Sequence, residues 1–327
     1  MNKSTRPIVA ISRFNMPGDP VALLSAFADV RVWPRRTDPS GAELLELTEG
    51  ADVLLCVNGD VVDAEFIAQR PSLRLIAVAS TGYDTVDVKA VNVAGAVVTN
   101  SRGTLFESTA DLAFGLILAA RRRIVEADRF VRAGRWDNND LDLLLGYDVY
   151  GATLGIVAYG EIGQAVARRA KGFGMTVVHH RRQRADDELS RWVELDELLR
   201  ISDVVTLHIP STPETRHYIG ERELRLMKPT ATLVNIARGA VLDEKALVRA
   251  LREGWIGSAG LDVQQMEPNP DPDDPLLGFS NCVVLPHIGS ATMAARVRMI
   301  GMAIGNIVAF FEGRDLLTPV GKLNAVR

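Results

Sequence analysis

Over the first hundred residues, short β-branched runs alternate with amphipathic segments. "PIVAIS", "VRVW", "DVLLCV", "LRLIAVAS" and "AVVTN" read as strands, and "DPVALLSAFA", "SGAELLELTEG" and "DAEFIAQR" as the helices between them. Alternation of this kind predicts a parallel sheet with crossover helices. A helical period then runs from about Thr104 to Gly134. The alternation restarts with "ATLGIVAYG", the helix "EIGQAVARRAKGFG" and the strand "TVVHH", and continues through "DVVTLHI", "ATLVNIA", "SAGLDV" and "NCVVLPH". "ATMAARVRMIGMAIGNIVAFFEG" predicts a last long helix. The pattern is an α/β fold of two units joined by a long helix, and 327 residues are too many for one ordinary core.

Composition narrows the class. Hydrophobic residues at 47% and charged residues at 24% match a soluble globular protein. A net charge of −4 argues against nucleic-acid binding, which needs an excess of Lys and Arg. Cys56 and Cys282 stand far apart without a CxxC and read as small buried hydrophobes in a reducing compartment. The start, "MNKSTRPIVAISRF", lacks the apolar core of a signal peptide. The most apolar long stretch, "LFESTADLAFGLILAARRR", is interrupted by Glu107 and Asp111 and reads as a buried helix rather than a membrane span. The expectation is a cytoplasmic protein with no membrane partner. "EPNPDPDDPLL" reads as a surface turn.

The chemistry begins at "GIVAYGEIG", where Ala158, Gly160 and Gly163 occupy the G-x-G-x-x-G frame between a strand and a helix. A pyrophosphate would sit at the helix N-terminus, among Ala158, Tyr159, Gly160, Glu161, Ile162 and Gly163, where free N–H groups and the helix dipole favour anions. Gly160 allows close backbone approach and Gly163 allows the helix to pack on the strand. Ala158 adds one methyl group, so a slightly adjusted turn is expected rather than a lost site.

The next strand ends in "VVHHRRQR". In such a unit an acidic residue at this point hydrogen-bonds the ribose of NAD. Here Arg181, Arg182 and Arg184 stand instead. Guanidinium groups hold a 2′-phosphate that an acid would repel, so the cluster reads as a selector for NADP(H), with NAD(H) still possible. The competing reading is a solvated turn, where charge runs usually sit.

The chain resembles the D-isomer-specific 2-hydroxyacid dehydrogenases along nearly its whole length. "STGYDTVDVKAVNVAGAVVTN", "ESTADLAFGLILAARRR", "NIARGAVLDEKAL", "AGLDVQQMEP" and "LPHIGSAT" carry the likeness, in order and spacing. "LGYDVYGATLGI" and the arginine-bearing strand end are similar to the glyoxylate/hydroxypyruvate and 2-ketogluconate reductase branch. The resemblance implies two Rossmann-like domains with parallel sheets. A flavodoxin-like substrate domain would span residues 1–99 and 290–327, and a dinucleotide-binding domain residues 100–289. It also implies reduction of a small 2-oxo acid to the D-2-hydroxy acid.

By the same resemblance Arg238 would hold the carboxylate and ketone oxygen, His287 would deliver the proton, and Glu267 would stabilise the protonated imidazole. As isolated residues these three would more often be surface groups or core caps. Asp262 matches a position near the nicotinamide amide, with a strand-end cap as the competing reading, Ile236 and Ala237 further cofactor contacts, and His208 and Pro210 the segment under the adenine. Thr81 and Gly82 match a carboxylate-holding loop. The loop at Asn58 would close over the substrate, with a plain turn almost as good a reading. His179, His180 and His217 read as polar surface or strand-end residues, and no metal-ligand spacing appears.

Departures from the family concern the pocket. Gln264 and Gln265 stand where an aromatic and an acid are common, Arg102 where a proline is common, and Leu143 and Leu144 where one branch carries a tryptophan that reaches the partner subunit's site. The helical stretch from Thr104 and the leucines before Gly146 expose apolar surface that implies a homodimer. Two alternatives stay open: a dinucleotide-binding corepressor-like interaction protein, and an NAD-dependent dehydrogenase of another substrate. Gln is found at the Glu267 position of formate dehydrogenases, and long-type phosphoglycerate dehydrogenases carry a regulatory domain beyond the last helix. Neither feature is expected here.

Overall fold

Thirteen strands are found among the described residues, which run from 6 to 321 of this computed structural model. They are β1 (Ile8–Ile11), β2 (Asp29–Val32), β3 (Val53–Cys56), β4 (Leu75–Val78), β5 (Val97–Thr99), β6 (Thr153–Val157), β7 (Thr176–His180), β8 (Arg191–Trp192), β9 (Val204–Leu207), β10 (Thr232–Asn235), β11 (Ser258–Leu261), β12 (Cys282–Val284) and β13 (Pro319–Val320). The chain divides into two units, Met1–Leu105 with Ala291–Arg327, and Phe106–Ser290.

Unit 1 holds a six-stranded sheet in the order β13-β5-β4-β3-β1-β2, parallel except for β13. Its central strands are buried on both faces, as their continuous apolar runs require. Alternate residues go to opposite sides. Val9, Ile11, Val53, Leu55 and Leu75 pack with Met299, Ile300, Ala303, Ile304 and Ile307 of the helix Met293–Phe311. Leu54, Cys56, Ile76 and Val78 face Phe66, Ile67, Leu73 and Val91. Met293–Phe311 is long and apolar enough to cross a membrane, but five of its residues belong to this core.

Unit 2 holds a seven-stranded, all-parallel sheet in the order β12-β11-β10-β9-β6-β7-β8. One face packs Leu154, Ile156, Val177, Val204 and Val234 against Ala110, Ala113, Phe114 and Ile117 of the helix Phe106–Arg121. The other packs Val178, Val205, Leu207 and Leu233 against Leu198, Leu224, Leu247 and Leu251.

The single long helix expected from about Thr104 to Gly134 is instead two, Phe106–Arg121 and Ile124–Arg132. The break falls where Arg123 takes φ 54°. The Arg121 side chain is drawn inward to donate to the carbonyls of Asp148 (2.7 Å) and Asp203 (2.8 Å). The apolar period runs on across the break, so the sequence does not show it. The second helix buries none of its residues. The two-residue strands β8 and β13 were also invisible to periodicity, being too short to alternate.

Candidate active site

Unit 2 winds one way from β6 and the other way from β9. Open α/β sheets take ligands beyond the carboxyl ends of their strands at such a reversal. At that point β6 turns through Ala158, Tyr159 and Gly160 into the helix Glu161–Gly172. The adjustment expected at the alanine falls on the alanine itself. Ala158 holds φ 69°, a left-handed conformation that glycine adopts freely, with its N–H bonded to the His180 carbonyl at 2.9 Å. A β-carbon at Gly160 would meet nothing within 4 Å, whereas one at Gly163 would stand 2.7 Å from the Ala158 carbonyl oxygen. The first glycine therefore leaves open ground and the second is demanded by packing. The first-turn amides of Glu161, Ile162 and Gly163 have no helical acceptor, so the loop fits a dinucleotide pyrophosphate.

His208 follows β9 and donates its backbone N–H to Val157 O at 2.9 Å. Its Nε2 lies 3.1 Å from Thr206 Oγ1, and its Nδ1 is buried without a partner. Burial pushes its pKa down to about 3. Pro210 is exposed in the loop that follows.

At the end of β7 the segment 182–188 is exposed, while the strand before it is packed. His179 is the last residue but one of the strand, and it is fully buried rather than at the surface. Its ring stacks on Tyr159, centroids 4.0 Å apart, and its Nδ1 meets Ser190 Oγ at 2.9 Å. The Tyr159 hydroxyl donates to Asp187 (3.1 Å), which also accepts the N–H groups of Leu189 (2.8 Å) and Ser190 (2.9 Å). The Arg181 guanidinium lies 5.8 Å from the Tyr159 ring, which ties the first arginine to the phosphate loop. Arg182 is exposed, and Arg184 pairs with Glu194 and lies 4.8 Å from the Trp192 ring.

The catalytic candidates lie further along the same sheet. Beyond β12, His287 takes φ 55°. Its conformation is fixed by Asp262, which follows β11. The Asp262 carbonyl accepts the His287 N–H at 2.9 Å, and its carboxylate accepts the N–H groups of Ile288 (2.7 Å) and Gly289 (2.8 Å). Burial raises the Asp262 carboxyl pKa, against the pull of those two amides. His287 Nδ1 lies 2.6 Å from Glu267 Oε2, and Glu267 Oε1 accepts Gln264 N–H at 2.7 Å. Burial alone would raise the Glu267 carboxyl. The bond and charge of His287, the Gln264 amide and the charge of Arg238 together hold it below the usual carboxylate range.

Ile236 and Ala237 follow β10 and lead to Arg238, whose Nη1 donates to Ala237 O at 2.7 Å. Gly239 was missed by sequence reasoning. A β-carbon there would lie 2.0 Å from the Gln264 carbonyl carbon, a contact between segments that no local motif reports. The glutamines that departed from the family pattern are both engaged, Gln264 with Asp274 (3.2 Å) and Gln265 with Leu242 O (2.7 Å).

In unit 1, Asn100 Nδ2 donates to Thr81 O at 2.8 Å and Ser80 Oγ to Gly82 O. No acceptor for the Thr81 or Gly82 N–H is found among the described residues, which suits an anion. Asn58 is half-buried, with its Oδ1 covered and unpartnered. Among the described residues no cluster of His, Cys, Asp or Glu is arranged to hold a metal ion.

An imidazole–carboxylate pair and an arginine beside a dinucleotide turn define an NAD(P)-dependent dehydrogenase of 2-hydroxy acids. The family model "D-isomer specific 2-hydroxyacid dehydrogenase, NAD binding domain" matches residues 114–289, and the chain belongs to that family. It is 47% identical over 313 residues to a glyoxylate reductase of Korarchaeum cryptofilum, 94% of each chain being covered. It superposes on a solved structure of the TT0316 protein from Thermus thermophilus with TM-score 0.91 at 43% identity, covering 96% of this chain and 100% of that one. An NADPH-dependent glyoxylate/hydroxypyruvate reductase from Sinorhizobium meliloti, solved with NADP and malonate, is similar at TM-score 0.87 and 30% identity, with 97% of each chain covered. Nicotinamide-dependent reduction of a 2-oxo acid is the activity these likenesses support.

Proposed function

We propose that the protein reduces a small 2-oxo acid of the glyoxylate, hydroxypyruvate or 2-ketogluconate type, with NADPH preferred to NADH. The observation that carries the reading is the His287–Glu267 pair at 2.6 Å, on a turn that Asp262 holds at three points. Reduced nicotinamide, when bound, supplies the hydride. Every other requirement falls on the chain. Arg238 binds the substrate carboxylate and polarises the ketone oxygen with its forked donors. Protonated His287 gives a proton to that oxygen through Nε2, because Nδ1 is taken by Glu267. The ionised Glu267 stabilises the imidazolium before transfer and fixes the ring afterwards. Ile236, Ala237 and Asp262, at the carboxyl ends of β10 and β11, are assigned to the nicotinamide side.

The preference for NADPH rests on Arg181, aided by Arg182. Arg184 is the weaker third, because Glu194 already engages it. The Sinorhizobium meliloti relative, NADPH-dependent by name, supports this reading. The test is a panel of 2-oxo acids with each cofactor. Turnover of glyoxylate or hydroxypyruvate, with the lower KM for NADPH, is the expected result. Absence of turnover with every 2-oxo acid, or equal use of NADH, contradicts it.

Homodimerisation is part of the proposal. The helix Phe106–Arg121 is largely buried within unit 2, so the apolar surface lies further on, at Val131, Trp136, Leu141, Leu145 and Tyr150, all more than half exposed. Sedimentation at micromolar concentration is expected to give a dimer, and a monomer would refute this part.

A further inference from the structure

Two segments of unit 2 must keep a fixed spacing if Arg238 is to hold a substrate that His287 protonates, and the structure joins them in an unusual way. One is 238–244, which carries the arginine. The other is 264–267, which ends in the carboxylate paired with His287. Gly239 lies so close to the Gln264 carbonyl that a β-carbon would overlap it. Gln265 Nε2 donates to Leu242 O at 2.7 Å and lies 3.1 Å from His217 Nε2. Gln265 N–H donates to Glu244 Oε1 at 2.6 Å, just as the preceding N–H of Gln264 donates to Glu267 Oε1 at 2.7 Å. Two successive amides are thus taken by two carboxylates, one from each segment.

We propose that Glu244 and Gln265 are positioning residues for the reaction, joining the Arg238 segment to the Glu267 turn so that the His287–Glu267 pair stands at a set distance from the substrate-binding guanidinium. Neither residue reaches the reacting atoms in this scheme. Glu244 acts through the Gln265 peptide, and Gln265 through its side-chain N–H. The glutamine has a chemical reason. A carboxylate at 265 could not donate to Leu242 O. The groups that act electrostatically on Glu244 are Asp274, Glu267 and Asp243. After burial, their charges raise its pKa, opposed by the Gln265 amide. Cys282 lies near Glu244 and Asp274, and Gln265 also meets His217.

This inference rests on the acid–base reading of His287 and Glu267, and the experiment separates the two. Full-length parent, Glu244→Ala, Glu244→Gln, Gln265→Ala and Glu267→Gln are compared with glyoxylate and NADPH across pH, with NADPH affinity measured separately by nucleotide fluorescence. Glu244→Ala is expected to lower kcat roughly tenfold, since small misplacements of reacting groups are costly. Its alkaline limb should move to lower pH, with NADPH affinity unchanged. Glu244→Gln keeps an acceptor oxygen for Gln265 N–H and is expected to restore most of kcat. A parental kcat and pH profile in Glu244→Ala overturns the inference. So does a Glu244→Gln no better than Glu244→Ala, or a loss of NADPH affinity as large as the loss of kcat. If Glu244→Ala does not fold, Gln265→Ala decides. About a threefold fall with the limb displaced in the same sense supports the inference, and parental behaviour overturns it. If Glu267→Gln leaves the limb in place, the acid–base reading has failed. If Glu267→Gln moves it and Glu244→Ala does not, the positioning inference alone has failed.

Discussion

Ala158 and His287 sit at opposite ends of the unit 2 site with nearly the same backbone conformation, φ 69° and φ 55°. The left-handed region costs a residue with a β-carbon about 1 kcal/mol or more at either place. What differs is the support. His287 is held by a backbone bond to Asp262, by two neighbouring amides on the Asp262 carboxylate, and by Glu267 on its ring. Ala158 has the His180 carbonyl on its N–H and brings a methyl group that does no chemistry. Strain that the surroundings enforce on a reactive side chain aims that side chain. Strain on a methyl at the phosphate turn is a residue of the turn's geometry, tolerated because Gly160 and Gly163 keep the loop's shape.

The comparison breaks most visibly at the histidine. His287→Asn keeps a residue that tolerates positive φ and removes the acid, so kcat is expected to fall roughly 10²–10⁴-fold with little change in thermal midpoint. A midpoint that collapses with activity would show that the turn depends on the imidazole rather than on Asp262.

His208 tests the phosphate side through stability. Its folded pKa, about 3, lies below the ordinary 6.5, so the fold keeps it neutral. The unfolded chain takes up a proton that the fold refuses. The contribution is therefore complete above pH 6.5 and is lost as pH falls toward 3. The loss is on the order of 5 kcal/mol over that window. His208→Gln, followed by denaturant unfolding between pH 7 and pH 4, is expected to show a flatter decline than the parent. Parallel curves would mean that water reaches the ring.

A smaller effect belongs to the arginine over Tyr159. Arg181→Ala is expected to weaken NADPH about tenfold, the loss of one charge-assisted contact, and to leave NADH nearly unchanged. Arg181→Asp should go further and favour NADH. An unmoved ratio of KM values in both variants would return the cluster to a solvated turn. The smallest change is at the alanine. Ala158→Gly is expected to raise stability by about 0.5–1 kcal/mol, the relief of strain exceeding the added chain entropy. A destabilised Ala158→Gly would mean that the methyl packs usefully.

The phosphate turn was legible because its spacing is a backbone requirement that sequence carries directly: Gly163 answers to the Ala158 carbonyl five residues earlier in the chain. Arg238, Glu267 and His287 were legible only through the likeness of three segments. As single residues they carry no local pattern. The features that resisted reading are contacts between distant segments. Gly239 against Gln264, the turn at His287 that Asp262 caps, and His179 stacked under Tyr159 depend on which strands become neighbours, although a capping role for Asp262 was itself one of its readings. The break at Arg123 was hidden for another reason, since the helical period continues across it while the Arg121 side chain turns inward.

The most direct measurement is the pH dependence of kcat for glyoxylate reduction in the parent and in Glu267→Gln. The carboxylate, ionised and 2.6 Å from the imidazole, favours the protonated ring that donates the proton. The variant should keep its activity on the acid side and lose it at lower pH than the parent on the alkaline side. Superimposable profiles would contradict the assignment of His287 and Glu267 as the acid and its support.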